Sequence, residues 1–353
     1  MRVALRSVVA PLRFPLRAAH GVVRERELLL LELRDGERGP VGFGEAAALE
    51  SYDGIGSAAV RAALRACAER LREADLATVL HPVARGSLLG ECARRAPLAQ
   101  ARAAIELALL DLAGRAVGEP VWRLLGATAP PPPLEVNCTL TAAEPRAAAR
   151  EAEAARREGF GTVKVKVGFG DDLARVAAVR EAAGAAMRIR LDANGAWDER
   201  EALARLRALA PFGIELCEEP VRGAEAIGAL ARRAPVALAL DESAAEPAAL
   251  ERRRCTAICL KLARCGGISG LLRTAARAHE LGYEVYLAST LDGPLGIAAA
   301  LHAAGLIVPE RACGLATVSL FTAGVTALEP RCGRIALPPG PGLGDGLIGF
   351  YER

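Results

Sequence analysis

The sequence predicts an α/β barrel with a smaller α+β domain ahead of it, and three observations carry that prediction. Apolar runs of strand length recur as GTVKVKVG, RIRLDANG, GIELCEEP, VALALDES and AICLKLARCGG, each rich in Val, Ile or Leu and each ending in charged residues. Strands of a buried parallel sheet read this way, with both faces covered and the chemistry at one rim. A helix-like segment separates each run from the next. The charged tips Lys166, Asp192, Glu218, Asp241 and Lys261 fall 20 to 26 residues apart. Successive parallel strands therefore set them side by side around one opening.

From Met1 to about Gly44 the pattern is of strands. VALRSVVAPL and ELLLLELRD read as antiparallel partners, with His20, Gly21 and the charged RERE stretch in a loop between them, and GFGEAA closes the sheet. Beyond Ser57 the chain turns helical, as in AAVRAALRACAERLREA and AQARAAIELALLDLAGRA, where apolar residues recur at three and four. Pro130 to Pro133 are consecutive prolines, a stiff extended connector. This places an α+β domain over 1–129, a linker over 130–133 and the barrel over 134–320. The loop-rich remainder, 321–353, is expected to return to the first domain.

Within the barrel, LEVNCTL is the first expected strand. The helix after it is marked by Thr141 and Glu144 at capping-box spacing and by Gly159 at its close. The alternation continues through VKVKV, RIRLDAN, IELCEE, VALALDES, AICLKL, VYLAST and ACGLATV, with a helix or helical piece expected in every interval. Eight strands with seven intervening segments suffice to close a barrel.

Composition excludes several classes. At 353 residues there is ample core for one large and one small domain. A net charge of +3 with 25% charged residues gives no nucleic-acid or membrane surface. No apolar segment approaches the roughly 18 residues of a membrane span, and MRVALRSVVAPLRFPL lacks the apolar core of a signal peptide, so the cytoplasm is the expected compartment. The nine cysteines include no CxxC and read as reduced thiols.

Lysine usage is more telling. Of 45 basic residues only Lys164, Lys166 and Lys261 are lysines, and all three stand at strand tips. Arginine cannot give up its proton at accessible pH, whereas lysine can be tuned into a base. The pattern suggests positions where an amine must exchange a proton. Asp192, Glu218 and Asp241, on three consecutive strands, add a three-carboxylate constellation. Hard oxygen ligands of that kind suit Mg²⁺ or Mn²⁺, and a cation is the simplest way to keep three crowded carboxylates ionised. A divalent ion between two amine faces is what a reaction needs if it removes a proton next to a carboxylate.

KVKVG, LDANGAW, ELCEEP, ALDES and LKLARCGG, preceded by ALLDLAGRAVGEPVWRLLGA, resemble the muconate-lactonizing subgroup of the enolase superfamily over nearly the whole chain. The resemblance implies an α+β capping domain, formed by the N-terminal region and the tail, on a modified (β/α)₇β TIM barrel. It implies Mg²⁺ on Asp192, Glu218 and Asp241, with Glu218 preferred to Glu219. Lys166 would be the base, Lys164 the support of the substrate carboxylate, and Lys261 the opposite base or a cationic stabiliser. Asn194 matches the family's DAN element. The subgroup also implies a small-molecule carboxylate substrate and a homo-oligomer.

Which reaction follows is a narrower matter, since cycloisomerases, o-succinylbenzoate synthases, N-acyl amino acid racemases and dipeptide epimerases share almost the same rim. Dipeptide epimerases resemble one another in an Asp-x-Asp pair at the last barrel strand, which takes the substrate ammonium. Here that strand reads ACGLATV, without a carboxylate. LASTLDGPLGIAAAL and ACGLATV look most like o-succinylbenzoate synthases, so syn dehydration is the expected reaction, with racemisation, epimerisation and cycloisomerisation as alternatives. Loops of the capping domain around His20 and around Ser51 to Gly56 (SYDGIG) are expected to close over the mouth and set specificity, and His20, Asn137, Ser289 and Asp292 are candidate substrate contacts. GGISG after Lys261 resembles a phosphate-cradling turn on weak evidence. The contrasting class, a binding barrel without catalysis, sits badly with three acids and three lysines all kept at strand tips.

Overall fold

The computed structural model describes residues 1–18 and 21–352, so His20 lies outside the described residues. The chain opens with an antiparallel meander of β1 (Arg2–Ala18), β2 (Gly21–Arg34) and β3 (Val41–Ala46). The RERE stretch expected in a loop is part of β2, Glu27 opposite Val9 and Arg26 opposite Ala10. Two of its charges find partners on the sheet and its flank and the other two, Arg24 and Glu25, are exposed, which is why the strand tolerates them. Glu27 takes hydrogen bonds from Ser7 and Arg61, and buried Arg26 donates to the Ala48 carbonyl at 2.6 Å.

The helix Ala99–Val117 packs on β3, and the two glycines of GFGEAA are there for that contact. A Cβ on Gly44 would meet the Ala104 carbonyl at 1.9 Å, and one on Gly42 the Ala108 carbonyl at 2.4 Å. Helices Ser57–Glu73 and Pro82–Arg95 complete a second apolar cluster around Leu29, Leu31 and Leu33.

The barrel differs from expectation at its seam. Of the LEVNCTL run, β4 (Leu134–Glu135) pairs antiparallel with β12 (Arg334–Ile335), and only β5 (Cys138–Leu140) joins the main sheet. There follow β6 (Thr162–Lys166), β7 (Arg188–Asp192), β8 (Ile214–Glu218), β9 (Leu238–Leu240), β10 (Ala257–Lys261) and β11 (Glu284–Ala288), all parallel in sequence order. The expected eighth strand shrinks to two parallel bridges, Ala288 with Gly314 and Val136 with Cys313, which close the ring between β11 and the start of β5. It is short because a 3-10 turn, Ala316–Leu320, carries the chain off to β1, where Leu12 bridges Phe321.

Helices fill six of the seven intervals. Between β9 and β10 the expected helix is replaced by two 3-10 turns, Glu242–Ala245 and Pro247–Leu250, because Pro247 lacks the N–H that would carry a helix through. The expected capping box also fails. Pro145 opens the helix Pro145–Arg157, so Glu144 becomes the N-cap, and Thr141 instead bonds Glu151 through Oγ1 at 2.8 Å. The tail lies against the N-terminal domain, where Val121 N–H donates to Gly342, Leu343 N–H donates to Asp111 at 2.7 Å, and Tyr351 donates to Glu45. No helix among the described residues is long and apolar enough to cross a membrane.

Candidate active site

The parallel strands alternate their side chains, so residues two apart share a face. That alternation turns Lys164 and Lys166 of β6, Arg190 and Asp192 of β7, and Cys259 and Lys261 of β10 toward the barrel axis, with Glu218 at the tip of β8 and Asp241 just beyond β9. Lys164, Lys166, Asp192, Asn194, Asp241 and Lys261 line one cavity of about 70 Å³ at the C-terminal mouth. Glu218 is its buried neighbour, joined to Lys164 by an ion pair. β6 and β10 are the second and sixth strands of the ring, and β7, β8 and β9 lie between them. The two amine-bearing tips thus face each other across the carboxylates.

Contacts at the site are charge on charge. Lys164 Nζ lies 2.8 Å from Asp192 Oδ2, which Lys166 Nζ approaches at 2.7 Å. Lys166 also donates to Asn194 Oδ1 at 2.9 Å, and Asn194 Nδ2 donates to Glu242 Oε1 at 2.8 Å. Lys261 Nζ lies 2.5 Å from Asp241 Oδ1 and 2.5 Å from the Tyr52 hydroxyl. Burial alone would discharge these groups. For Asp192 the Lys164 and Lys166 charges reverse it and hold the carboxyl below its usual range, and Lys261 with Lys164 does the same for Asp241. Reciprocally, burial works against the Lys164 and Lys261 ammonium groups, but Asp192 and Glu218 in one case and Asp241 in the other keep both above the ordinary lysine value.

The residues fit a hard divalent cation. Asp192, Glu218 and Asp241 offer only carboxylate oxygen, and Glu218 Oε1 is buried without a hydrogen-bond partner, with the Arg190 guanidinium 3.6 Å away. Cys259 was not expected beside the acids, yet its sulfur and one oxygen each from Glu218 and Asp241 lie within 4.8 Å of one another. Burial, with Asp241 beside it, pushes that thiol well above its usual pKa, and a metal would need the thiolate. Carboxylate oxygen remains the better donor, although Asp192, turned to Lys164 and Lys166, is not among the groups gathered within that distance.

Glu219 serves a different purpose from Glu218. It accepts from Asp241 N–H at 2.9 Å and Ser243 N–H at 3.1 Å, pinning the loop that carries Asp241, and burial with Glu242 beside it pushes its carboxyl up to about 8. Asn194, Glu219 and Leu291, each just past a strand tip, hold positive φ of 46°, 40° and 58°. Non-glycine residues adopt that region only when their surroundings compel it.

Of the expected substrate contacts, Asn194 and Ser289 line the cavity, and the Ser289 hydroxyl lies 2.6 Å from that of Thr317. Asp292 does not line it: it is buried and accepts from the Thr290 N–H and hydroxyl, at 3.1 and 2.6 Å, in a local turn. Asn137 is buried at 1% exposure, one step below Thr139, and also stands back from the cavity. GGISG holds no phosphate cradle, since Glu106 of the N-terminal domain accepts from Ser269 N–H at 3.1 Å there. Tyr52 comes from the Ser51 to Gly56 loop that the sequence sets over the mouth, though nothing in the sequence singles out the tyrosine, and Arg190 escaped the sequence reading. Arg190 is wholly buried, 3.3 Å from Glu215, with its guanidinium 4.3 Å from the Tyr286 ring centroid.

Residues 1–126 match the mandelate racemase / muconate lactonizing enzyme N-terminal domain, and residues 147–347 the enolase C-terminal domain-like family. The L-Ala-D/L-Glu epimerase of Bacillus subtilis is 31% identical over 318 residues, 86% of this chain and 84% of that protein. The o-succinylbenzoate synthase of Mycobacterium bovis is 41% identical over 207 residues, 55% of this chain and 61% of its own. The structure of a dipeptide epimerase from Enterococcus faecalis V583, complexed with Mg and the dipeptide L-Leu-L-Tyr, superposes with a TM-score of 0.86 at 26% identity, covering 97% of this chain and 98% of that one. The Bacillus epimerase matches over more of the chain and the synthase at higher identity, so epimerisation, an alternative to dehydration in the sequence reading, gains the broader support. With both domain models matched and the barrel rim assembled, the chain is an enzyme of the enolase superfamily, in its muconate-lactonizing subgroup.

Proposed function

We propose that this enzyme moves the α-proton of an N-acylated amino acid between two faces, a racemisation or epimerisation, with Lys166 and Lys261 as the two bases. The observation that carries the reading is the placement of these lysines on the second and sixth strands, both lining one cavity and separated by the three acids. The similarity to dipeptide epimerases supports it.

Asp192, Glu218 and Asp241 would hold Mg²⁺, which when bound neutralises the substrate carboxylate and the dianion left by α-proton removal. Lys164, directed by Asp192 and Glu218, stands where it can hold the substrate carboxylate. Lys166 takes the proton from one face while its Nζ is steered by Asn194 Oδ1. Lys261 returns a proton to the other face, steered by Asp241 and Tyr52. Lys261, which Asp241 holds charged against the effect of burial, is ready to give that proton.

An uncharged wall of the cavity bears on the state of the substrate's nitrogen. Gly314, Thr317 and Leu320 line it with no charge, and Ser289 and Thr317 offer hydroxyls only. An α-ammonium would lose its hydration there without a counter-charge, whereas an amide would not. The neutral wall also favours a second reading, syn dehydration of an o-succinylbenzoate precursor, in which Lys166 alone takes and returns the proton. Incubation in D₂O with Mg²⁺ and a panel of N-acyl amino acids and dipeptides separates them. Deuterium at Cα with loss of optical purity supports the first reading. Dehydration of the cyclohexadiene carboxylate without exchange in the panel replaces it with the second.

A further inference from the structure

The short helix Glu50–Asp53 belongs to the N-terminal domain, yet its Tyr52 lines the catalytic cavity. Its base is fastened at home. Asp53 accepts from Ile55 N–H at 2.9 Å and from Gln100 Nε2 at 2.7 Å, tying the turn to the helix Ala99–Val117. Gly54, at φ 71°, reverses the chain immediately afterwards. From there Tyr52 reaches into the barrel. Its hydroxyl lies 2.5 Å from Lys261 Nζ and 2.9 Å from Asp241 Oδ1, and the same Nζ stands 4.1 Å from its ring centroid. Arg264, one turn past Lys261, brings its guanidinium to 5.2 Å from that ring.

We propose that Tyr52 is a positioning residue for Lys261, adding to the hold of Asp241 a constraint that is present only when the N-terminal domain sits over the barrel. The phenol oxygen offers a lone pair to the amine, and the ring face limits where the amine can swing. Two constraints from one side chain fix a direction that the flexible lysine stem leaves open. Lys164 and Lys166 take their direction from barrel residues instead, Asp192, Glu218 and Asn194. Tyr52 therefore acts on one face of the cavity and leaves the other alone. The kinetic consequence rests on the two-lysine reading above; the geometry does not.

The test exploits the fact that the full chain holds only three lysines. Protein grown on ε-¹³C-lysine gives three sets of signals, and Lys261→Arg identifies the one that belongs to Lys261. Tyr52→Leu, which removes ring and hydroxyl together, is expected to move the Lys261 signal and leave the other two in place. A Lys261 signal that stays put, or all three moving together, overturns the proposal.

Kinetics supply the second arm. Deuterium uptake is followed separately from each epimer of an N-acyl amino acid, in Tyr52→Phe. Uptake on the face served by Lys261, the face that survives in Lys166→Ala, is expected to fall about tenfold, the order of one hydrogen bond to a charged group. Uptake on the Lys166 face should change by less than about twofold. Equal losses on both faces overturn the proposal. If neither epimer exchanges in the unaltered protein, it is the two-lysine reading that falls, and the lysine spectrum alone decides the role of Tyr52.

Discussion

Lys261 Nζ lies 2.5 and 2.8 Å from the two carboxylate oxygens of Asp241, and both side chains are buried. A pair of this kind is costly to break from one side only. In Lys261→Ala the Asp241 carboxylate would be left beside Asp192 and Glu218 with one cation fewer. Without divalent metal, this variant should be less stable by about 3 kcal/mol or more, the usual cost of stranding one partner of a buried ion pair. Thermal melts with and without Mg²⁺ check it. Much of the loss should return with the metal, and an unchanged melt in chelator would remove Asp241 from the charge balance drawn here.

Loss of a lysine should also separate the two faces. Lys166→Ala and Lys261→Ala are each expected to lower full racemisation by about 10²- to 10⁴-fold, the typical worth of a positioned acid or base. Each should retain α-deuterium exchange with one epimer, and a different one. Exchange confined to one epimer in the unaltered protein, lost in Lys166→Ala and kept in Lys261→Ala, would point to chemistry on one face, as in dehydration.

Metal dependence has a structural readout besides turnover. A ligand that binds only the folded state at about a hundredfold over its Kd contributes about 2.7 kcal/mol of stability. Mg²⁺ should raise the melting temperature, EDTA should reverse the rise and stop turnover, and Asp192→Asn should abolish both responses. A melt indifferent to Mg²⁺ in the unaltered protein would leave the three acids as partners of the lysines alone.

The rim is legible in sequence because a barrel places strand ends in chain order. Lys166, Asp192, Glu218, Asp241 and Lys261 each close a hydrophobic run, and no long-range contact is needed to foresee that they meet. Arg190 carries a readable signal as well, a charge two residues before Asp192 and hence on the same inward face. Inside an apolar run that signal is easily lost. For Tyr52 the sequence points only to its loop, Ser51 to Gly56, and not to the side chain. Its contact with Lys261 spans 209 residues and depends on how the N-terminal domain lies over the barrel. Asp292 misleads for the opposite reason, since a carboxylate just past a strand tip looks like a site residue until its turn with Thr290 is seen.

The adjacent acids Glu218 and Glu219 should respond to amide substitution in different ways. Glu218→Gln should weaken Mg²⁺ binding and turnover while leaving the fold largely intact. Above about pH 8, where Glu219 is ionised and both its oxygens accept, Glu219→Gln must aim an NH₂ group at one of the N–H donors of Asp241 and Ser243, which costs about 1–3 kcal/mol for a buried group left unsatisfied. Melting curves and Mg²⁺ isotherms on both variants check this. If Glu219→Gln loses metal affinity as severely as Glu218→Gln without loss of stability, the assignment is reversed.

Glu45 ties the two domains in a way that pH should loosen. Its carboxylate accepts from Gly293 N–H of the barrel at 2.8 Å and from Tyr351 of the tail, and it is buried. Burial, with Asp292 beside it, pushes its pKa up from 4.5 to about 8, against the pull of Tyr351 and Gly293. The unfolded chain gives up this proton near 4.5 and the folded chain near 8. Between those values the folded state binds more protons than the unfolded one, so stability falls as pH rises across that window. Below it the contribution is flat. Above it the full penalty is present, on the order of a few kcal/mol, since a tenfold change in a proton equilibrium is worth about 1.4 kcal/mol. Glu45→Gln keeps an acceptor for Gly293 and cannot ionise. Its melting temperature should exceed that of the unaltered protein by more near the top of that window than near the bottom, and a difference constant across it would show that Glu45 does not titrate there.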